Sequence, residues 1–183
     1  MAHITGGNEL LNPENLLKKA KIATSMQIAD FGCGGQGQFV LTASKIIGNG
    51  GTIYAVDILK TVLEGIESKA KSQGLKNIKT IWTNLEIYKA TKIEDAKLDL
   101  GLLINTLFQS KKHLEIIKEC VRMIRLQGTL MVIDWKNIPS AFGPATVDRV
   151  NQDAIKAIAN QINLQLIEEF DAGHYHYGLL FKK

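Results

Sequence analysis

The chain has few cysteines, few arginines and no long apolar segment. Two cysteines among 183 residues, Cys33 in a glycine-rich loop and Cys120 on an apolar helical face, indicate neither a disulfide framework nor a zinc cluster, and we expect no metal site. Only three of the 22 basic residues are arginines, and the scattered lysines argue against a dedicated nucleic-acid surface. No apolar run reaches about 18 residues, and no basic region followed by a hydrophobic core opens the chain. The sequence therefore predicts a cytoplasmic protein with a weakly basic surface and no membrane partner.

The length and the apolar content predict one domain. A chain of 183 residues with 45% hydrophobic content can bury one substantial core and is short for two. Asn12, Pro13 and Glu14 read as the start of a helix, with Asn as the N-cap and Pro in the first turn. We therefore expect a flexible arm over residues 1–11 and a single domain over residues 12–183.

The most informative segment is a glycine-rich loop between two apolar strands. The strand that ends at Phe31 runs into Gly32-Cys33-Gly34-Gly35-Gln36-Gly37, an amphipathic helix follows, and a second strand ends at Asp57. Glycines allow the backbone to approach a ligand closely, and the free N–H groups of a helix N-terminus attract polar ligand atoms. A carboxylate at the end of the next strand can accept hydrogen bonds from two ribose hydroxyls. This unit predicts a site for an adenosine-containing ligand.

The loop alone leaves two ligands open. The spacing of Gly32, Gly34 and Gly37 matches the dinucleotide fingerprint of NAD enzymes, which on its own is a weak signal. Asp30, two residues before the first glycine, would repel a pyrophosphate and suits the cationic amino-acid tail of S-adenosylmethionine. We therefore favour S-adenosylmethionine, with S-adenosylhomocysteine as the product.

At these residues the chain resembles the class I S-adenosylmethionine-dependent methyltransferases, and most closely the small ubiquinone/menaquinone-biosynthesis type. The resemblance runs from about residue 12 to the C-terminus. Asp57 matches the acidic residue that holds the ribose, and Asn84 falls where the family usually has an Asp facing the adenine amino group. The cofactor contacts that the resemblance implies are Asp30, Gly32, Cys33, Gly34, Gly37, Asp57, Ile58, Asn84, Leu85 and Asn105.

The loop departs from the family pattern in one respect. The family usually has Gly-x-Gly-x-Gly, whereas here one additional residue precedes the first helix of the unit. Either the loop bulges or Gln36 occupies the third glycine position.

The resemblance also implies the fold class. It is an α/β, three-layer Rossmann-like fold whose seven-stranded, mostly parallel sheet ends in an antiparallel hairpin, with strand order 3-2-1-4-5-7-6. The nearly continuous apolar run over residues 98–104 is typical of a buried central strand, and we expect the fifth strand over residues 129–134. Residues 164–170 and 174–181 would form the hairpin, joined by Asp171-Ala172-Gly173. The long connection over residues 137–150 is the candidate for a substrate lid.

Catalytic residues are harder to identify, because methyl transfer requires mainly alignment and desolvation of the nucleophile. Asn105 follows the fourth strand, close to the expected position of the methyl group. His174 and His176 would share one face of a strand, and we choose His176 as the residue that orients or deprotonates an acceptor. Asp134, Trp135 and Lys136 could also meet a substrate.

The sequence predicts S-adenosylmethionine-dependent methyl transfer to a small or medium-sized acceptor. Two alternatives remain: an NAD(P)-binding oxidoreductase, and a catalytically silent S-adenosylmethionine-binding module. The acceptor and the oligomeric state are left open.

Overall fold

The structure is a computed structural model that describes residues 10–183. Most of the predicted N-terminal arm, residues 1–9, lies outside the described residues. The helix predicted to begin after Asn12 does so: α1 spans Pro13–Lys19, and the Asn12 side chain accepts a hydrogen bond from the Asn15 amide at 3.1 Å.

Seven strands form one sheet. Their bounds are Gln27–Phe31 (β1), Thr52–Asp57 (β2), Ile78–Trp82 (β3), Leu98–Ile104 (β4), Ile124–Trp135 (β5), Gln165–Gly173 (β6) and His176–Lys182 (β7). The order across the sheet is β3-β2-β1-β4-β5-β7-β6. Strands β1 to β5 pair in parallel, whereas β7 runs antiparallel to both β5 and β6. The predicted fold class and strand order are confirmed.

Helices cover both faces of this sheet. After α1, they span Gln38–Ile47 (α2), Lys60–Ser72 (α3), His113–Met123 (α4) and Gln152–Gln161 (α5), with short 3-10 turns at Leu107–Gln109 and Thr146–Asp148. One apolar cluster joins α1, α2 and α3 to one face, and a second joins α4 and α5 to the other. The sheet is therefore the middle of three layers, and the carboxyl ends of β1 to β5 meet at one edge.

Two element boundaries differ from the prediction. Strand β5 begins at Ile124, five residues before the predicted start, and its register with β4 shifts between the pairs Leu98–Ile124 and Leu100–Thr129. The hairpin turns at residues 174 and 175 instead of at Asp171-Ala172-Gly173, because β6 continues to Gly173. His174 therefore lies in the turn and not on a strand with His176.

Candidate active site

The loop between β1 and α2 passes three times through left-handed backbone. Gly32, Gly34 and Gly37 have φ of +78°, +64° and +61°, which glycine adopts without steric cost. The amides of Gly32 and Cys33 donate to the Val56 carbonyl at 2.8 and 3.1 Å, so the loop is tied to β2. The Gly37 amide donates to the Gly34 carbonyl at 3.2 Å, which closes a tight turn. This turn accommodates the additional residue.

Gln36 lies at the exposed tip of that turn. Lys69, on α3, donates from Nζ to the carbonyls of Gly35 and Gln36 at 2.8 and 3.2 Å. The third left-handed glycine position is Gly37, the N-cap of α2, and not Gln36. Of the two possibilities that the sequence left open, the loop bulges.

Thr106 supports the start of the loop from the end of β4. Its hydroxyl donates to the Phe31 carbonyl at 3.0 Å. A Cβ on Gly32 would lie 2.5 Å from Thr106 Oγ1, closer than real Cβ contacts allow. Glycine at position 32 therefore lets β1, β4 and the loop approach one another.

Asp57 ends β2 and orders the backbone around it. Its Oδ2 accepts a hydrogen bond from the Gly34 amide at 3.2 Å, and its Oδ1 accepts one from the Leu59 amide at 3.0 Å. The side chain is buried except for the part that lines a cavity. A carboxylate has about four lone-pair sites, and those that these two amides and the neighbouring Cys33 thiol do not use remain for a ligand.

Asp30 is almost completely buried behind the glycine loop. Burial raises its pKa to about 7, and the negative charge of Asp57 adds to the rise. Its Oδ2 has no hydrogen-bond partner among residues 10–183. The side chain therefore offers an uncompensated carboxyl group that a nearby cation would stabilise in its ionised form.

Cys33 contributes to the loop through its backbone. Its side chain is 1% exposed, and its Sγ lies 4.0 Å from Asp57 Oδ2. Burial, followed by the charges of Asp30 and Asp57, raises the pKa of the thiol, which stays neutral. The side chain belongs to the core, where it packs with the apolar residues of α2 and α3.

A cavity of about 370 Å³ opens beside these residues, at the edge where the strands end. It is lined by Gly32, Gly34, Gly35, Asp57, Ile58, Leu59, Val62, Thr83, Asn84, Leu85, Glu86, Thr106, Gln109, Ser110 and Ile116. Six of the predicted cofactor residues are among them: Gly32, Gly34, Asp57, Ile58, Asn84 and Leu85. Asp30, Cys33, Gly37 and Asn105 lie within two residues of a cavity residue in sequence but do not line the cavity.

Several lining residues were not predicted from the sequence. Val62 and Ile116 come from α3 and α4, where the apolar pattern indicates only a core face. Glu86 and Ser110 come from separate loops that meet because Ser110 donates to Glu86 Oε1 at 2.7 Å. No spacing in the sequence links these two residues.

The side-chain oxygen of Asn84 is hydrogen-bonded to the backbone two residues further along the chain. Its Oδ1 accepts a hydrogen bond from the Glu86 amide at 2.9 Å, which forms a small turn after β3. The Nδ2 group is then the part of the amide that remains to face a ligand in the cavity. An Asp at this position could not donate a hydrogen bond in this way.

Asn105 connects the cavity to β5. Its φ of +52° is left-handed, a conformation that Asn adopts more readily than most residues other than glycine. Its amide donates to the Ile133 carbonyl at 2.8 Å, and its carbonyl accepts from Gln109 Nε2 at 3.0 Å. Gln109 in turn lines the cavity.

His176 is the first residue of β7 and is fully buried. Its ring stacks against Trp135, the last residue of β5, with ring centroids 4.2 Å apart. Burial, followed by the charges of Lys136 and Arg149, lowers the pKa of His176 to about 4. The imidazole is neutral at pH 7 and a weak base, and it does not line the cavity.

Asp134 points to the opposite face of β5 from Trp135. Burial raises its pKa to about 7, and its Oδ1 accepts a hydrogen bond from the Trp135 amide at 2.8 Å. The backbone N–H groups of Phe108 and Leu107, which follow β4, lower the pKa of Asp134 and so oppose part of this rise. This carboxyl group does not line the cavity.

Within residues 10–183, no group of three or more His, Cys, Asp or Glu side chains is arranged to hold a metal ion. In the same part of the chain, none of the helices has the length and apolar character needed to cross a membrane.

Comparison with known proteins identifies the family of this fold and site. The family model Methyltransf_31, described as a methyltransferase domain, matches residues 22–171. A curated relative, the demethylmenaquinone methyltransferase of Lactococcus lactis, is 25% identical over 118 residues, which are 64% of this chain and 45% of the relative. The chain thus matches less than half of the length of that relative.

Solved structures share the fold. A SAM-dependent methyltransferase from Aquifex aeolicus has a TM-score of 0.86 and 22% identity, covering 97% of this chain and 92% of that chain. A structure described as a type 11 methyltransferase, from Sulfolobus solfataricus, has a TM-score of 0.75 and 21% identity, covering 95% of this chain and 93% of that chain. At these identities the likeness establishes the architecture.

Proposed function

The chain belongs to the methyltransferase-domain family, and from this membership we propose that it transfers the methyl group of S-adenosylmethionine to a small-molecule acceptor. The observation that carries the proposal is that Asp57 and the glycine loop face one cavity at the carboxyl edge of the sheet. The glycine fingerprint was compatible with both S-adenosylmethionine and NAD, and family membership favours S-adenosylmethionine.

The ribose end of the cavity suits two hydroxyl groups. Asp57 lines the cavity, and the amides of Gly34 and Leu59 fix the orientation of its carboxylate. The lone pairs that the protein donors leave free can accept from the ribose hydroxyls. Gly34, where an added Cβ would meet no atom within 4 Å, contributes left-handed backbone beside this end.

The end of the cavity that would hold adenine is formed by apolar side chains and the side-chain amide of Asn84. Ile58, Leu59 and Leu85 line this part of the cavity, and apolar side chains beside a few placed polar groups are typical of small-molecule sites. Asn84 Nδ2 can donate to a ring nitrogen of adenine. This replaces the acceptor role that an Asp has at the corresponding position of the family.

The part of the site that would hold the amino-acid tail of S-adenosylmethionine is the strongest test of whether this cofactor fits. Asp30 has a buried oxygen without a partner among the described residues, and its ionisation is costly as long as no cation is near. An ammonium group beside the first glycines would supply the missing positive charge. A dinucleotide pyrophosphate would instead place negative charge beside Asp30 and Asp57.

S-adenosylmethionine, when bound, supplies a sulfonium-activated methyl group, so the protein has to align an acceptor and exclude water. We assign this role to Asn105 and His176 at the edge of β4 and β7. With a pKa of about 4, His176 is better suited to orient an acceptor than to remove its proton. Asn105 would hold the edge of the cavity in position through Gln109 and Ile133.

The activity named for the curated relative supports a small acceptor rather than a macromolecule. The cytoplasmic location, the absence of a nucleic-acid surface and the single domain over residues 12–183 remain predictions from the sequence.

Titration calorimetry with S-adenosylhomocysteine, S-adenosylmethionine and NAD tests the proposal. We expect binding of the first two and no heat with NAD. Binding of NAD alone would overturn the assignment. Turnover with a panel of small acceptors then separates an enzyme from a silent S-adenosylmethionine-binding module.

A further inference from the structure

Two buried rings beside the site carry polar atoms without partners. Trp135 is 1% exposed and His176 is fully buried. Trp135 Nε1 and both ring nitrogens of His176 have no hydrogen-bond partner among residues 10–183. A buried polar group left unsatisfied costs about 1–3 kcal/mol, and native structures keep few of them without a reason. Three such atoms meet in one ring contact, where a bound ligand would give them partners.

A buried positive charge lies over the same rings. The guanidinium of Arg149 is centred 5.6 Å from the Trp135 ring, and the residue is 9% exposed. Its hydrogen bonds run to four backbone carbonyls, those of Lys136, Ile138, Phe142 and Pro144. In the described part of the chain, no carboxylate pairs with Arg149. Carbonyl dipoles alone therefore compensate this charge.

The nearby acidic groups are turned away or already paired. Asp134 lies on the opposite face of β5, where its charge contributes to raising the pKa of Tyr177. Asp171 pairs with Lys136 at 2.7 Å. The surroundings of His176 are positive on balance, in agreement with the direction in which Lys136 and Arg149 move its pKa.

The ring pair lies at the same edge of the sheet as the cavity, although neither ring lines it. Gln109 lines the cavity and donates to Asn105, whose amide donates to the Ile133 carbonyl. Trp135 lies two residues beyond Ile133 on β5, about 7 Å further along the strand. It pairs with His176 across β5 and β7 at the same edge of the sheet.

The irregular connection over residues 137–150 covers the two rings, and Gly143 packs directly against Trp135. A Cβ on Gly143 would lie 2.6 Å from the Trp135 ring, and Gly143 has a φ of +78°. Phe142, beside it, is 48% exposed and contacts Tyr175 with ring centroids 5.8 Å apart. Residues 137–150 therefore cover the two rings, and Arg149, itself part of this cover, holds it together through the carbonyls of Ile138, Phe142 and Pro144.

We propose that Trp135, His176 and Arg149 form the acceptor end of the site and bind an anionic oxygen, a carboxylate or a phenolate, of the methyl acceptor. The indole N–H and one imidazole N–H donate to this oxygen, and Arg149 balances its charge. An amine acceptor would bring a second cation to Arg149 and is disfavoured. This inference rests on the proposed function, because it names the substrate class of the same site.

The two tryptophans of the chain provide the test. In protein labelled with ¹⁵N at the indole nitrogen, Trp135 reports on the acceptor end. Trp82, whose Nε1 already donates to the Ile58 carbonyl at 2.9 Å, is the internal control. With the protein saturated by S-adenosylhomocysteine, we titrate benzoate, 4-nitrophenolate at pH 8 and benzylamine.

We expect benzoate or 4-nitrophenolate to shift the Trp135 signal and leave the Trp82 signal in place, and the more effective anion distinguishes a carboxylate from a phenolate acceptor. Benzylamine should shift neither signal. If neither anion moves the Trp135 signal, or if benzylamine moves it equally, the inference is overturned.

Matched variants complete the test. Trp135→Phe keeps an aromatic ring and removes the N–H, so the affinity for the effective anion should fall at least tenfold, as expected for a hydrogen bond to a charged group. Trp82→Phe should leave that affinity unchanged. If Trp135→Phe does not fold, His176→Phe makes the same comparison.

The two proposals fail in different ways. An unchanged anion affinity in a folded Trp135→Phe protein that still binds S-adenosylhomocysteine would overturn the acceptor inference alone. If the wild-type protein does not bind S-adenosylhomocysteine, the proposed function itself fails.

Discussion

At position 32 the backbone leaves no room for a methyl group, because a Cβ there would lie 2.5 Å from Thr106 Oγ1 and the φ is +78°. Gly32→Ala should therefore lower the free energy of unfolding by about 2 to 4 kcal/mol, from backbone strain and overpacking together. It should also weaken S-adenosylhomocysteine binding. Urea denaturation and calorimetry measure the two effects.

Gly35→Ala is the matched control in the same loop. No atom lies within 4 Å of the Cβ that it would add, and its φ is not left-handed. Its free energy of unfolding should stay within about 0.5 kcal/mol of the wild type. Equal losses in the two variants would show that the contact between Gly32 and Thr106 is not what limits the loop.

Asp57 has two roles, which substitutions can separate. Asp57→Ala removes the acceptor for the ribose hydroxyls and should weaken S-adenosylmethionine binding by about 1.5 to 3 kcal/mol, the scale for hydrogen bonds to a charged group. Stability should fall as well, because the amides of Gly34 and Leu59 lose their acceptor. Calorimetry on the folded variant measures the first effect.

Asp99→Ala is the control for Asp57. Its carboxylate also accepts from a backbone amide, that of Gln27 at 2.7 Å, and it pairs with Arg125 near the amino end of β4, away from the cavity. This variant should lose stability and keep its affinity for S-adenosylmethionine. An Asp57→Ala protein with wild-type affinity would show that the ribose is held elsewhere.

Residue-level prediction from sequence worked where local chemistry fixes the position. Asp57 and Gly32 could be identified because a carboxylate at a strand end and a glycine after a strand have few other reasons to occur together. The burial of His176 was not predictable. It depends on Trp135 and on the irregular cover over residues 137–150, which has no periodicity from which its path could be inferred.

At the scale of elements, a buried ion pair fixes the segment that follows the adenine wall. Glu119, on α4, is fully buried and accepts from the amides of Lys89 and Thr91 at 2.8 and 3.0 Å. Arg122 donates to the same carboxylate at 2.9 Å and also contacts Asp95. This network attaches the loop after Asn84 to a helix.

Glu119→Gln removes the charge with little change in shape and should lower the free energy of unfolding by about 3 to 5 kcal/mol, because Arg122 then loses its buried partner. Glu169→Gln breaks an exposed pair with Lys156 and should cost about 0 to 1 kcal/mol. Urea denaturation compares the two variants. Similar losses of unfolding free energy in the two variants would mean that the buried network adds little to stability.

Elements with a strong apolar pattern were predicted accurately, and those shaped by irregular backbone were not. Strand β4 spans Leu98–Ile104 as predicted, because a continuous apolar run leaves little choice. The start of β5 was missed because Arg125, Leu126 and Gln127 are exposed and Gln127 has a φ of +65°. Polar residues with such a backbone read as a turn, although here they are part of a strand.

At the scale of the whole molecule, three buried titratable groups determine how stability depends on pH. Asp30 and Asp134 have pKa values raised from 3.8 to about 7, so each holds a proton in the folded state that the unfolded chain has lost. Their contributions to stability decrease as the pH rises from about 4 to about 7. His176 acts in the opposite sense, because its pKa falls from 6.5 to about 4 and its contribution is lost as the pH falls below 6.5.

Two carboxyl groups outweigh one imidazole, so the ligand-free protein should be more stable at pH 5 than at pH 7.5, by about 3 kcal/mol. Urea denaturation at these two pH values measures the difference. Asp30→Asn removes one of the two carboxyl groups and should reduce the difference. Saturating S-adenosylhomocysteine should also reduce it, since an ammonium group beside Asp30 favours its ionised form at pH 7.5. A ligand-free protein that becomes more stable from pH 5 to pH 7.5, with no change in Asp30→Asn, would show that Asp30 is ionised in the empty site and that burial does not control its charge.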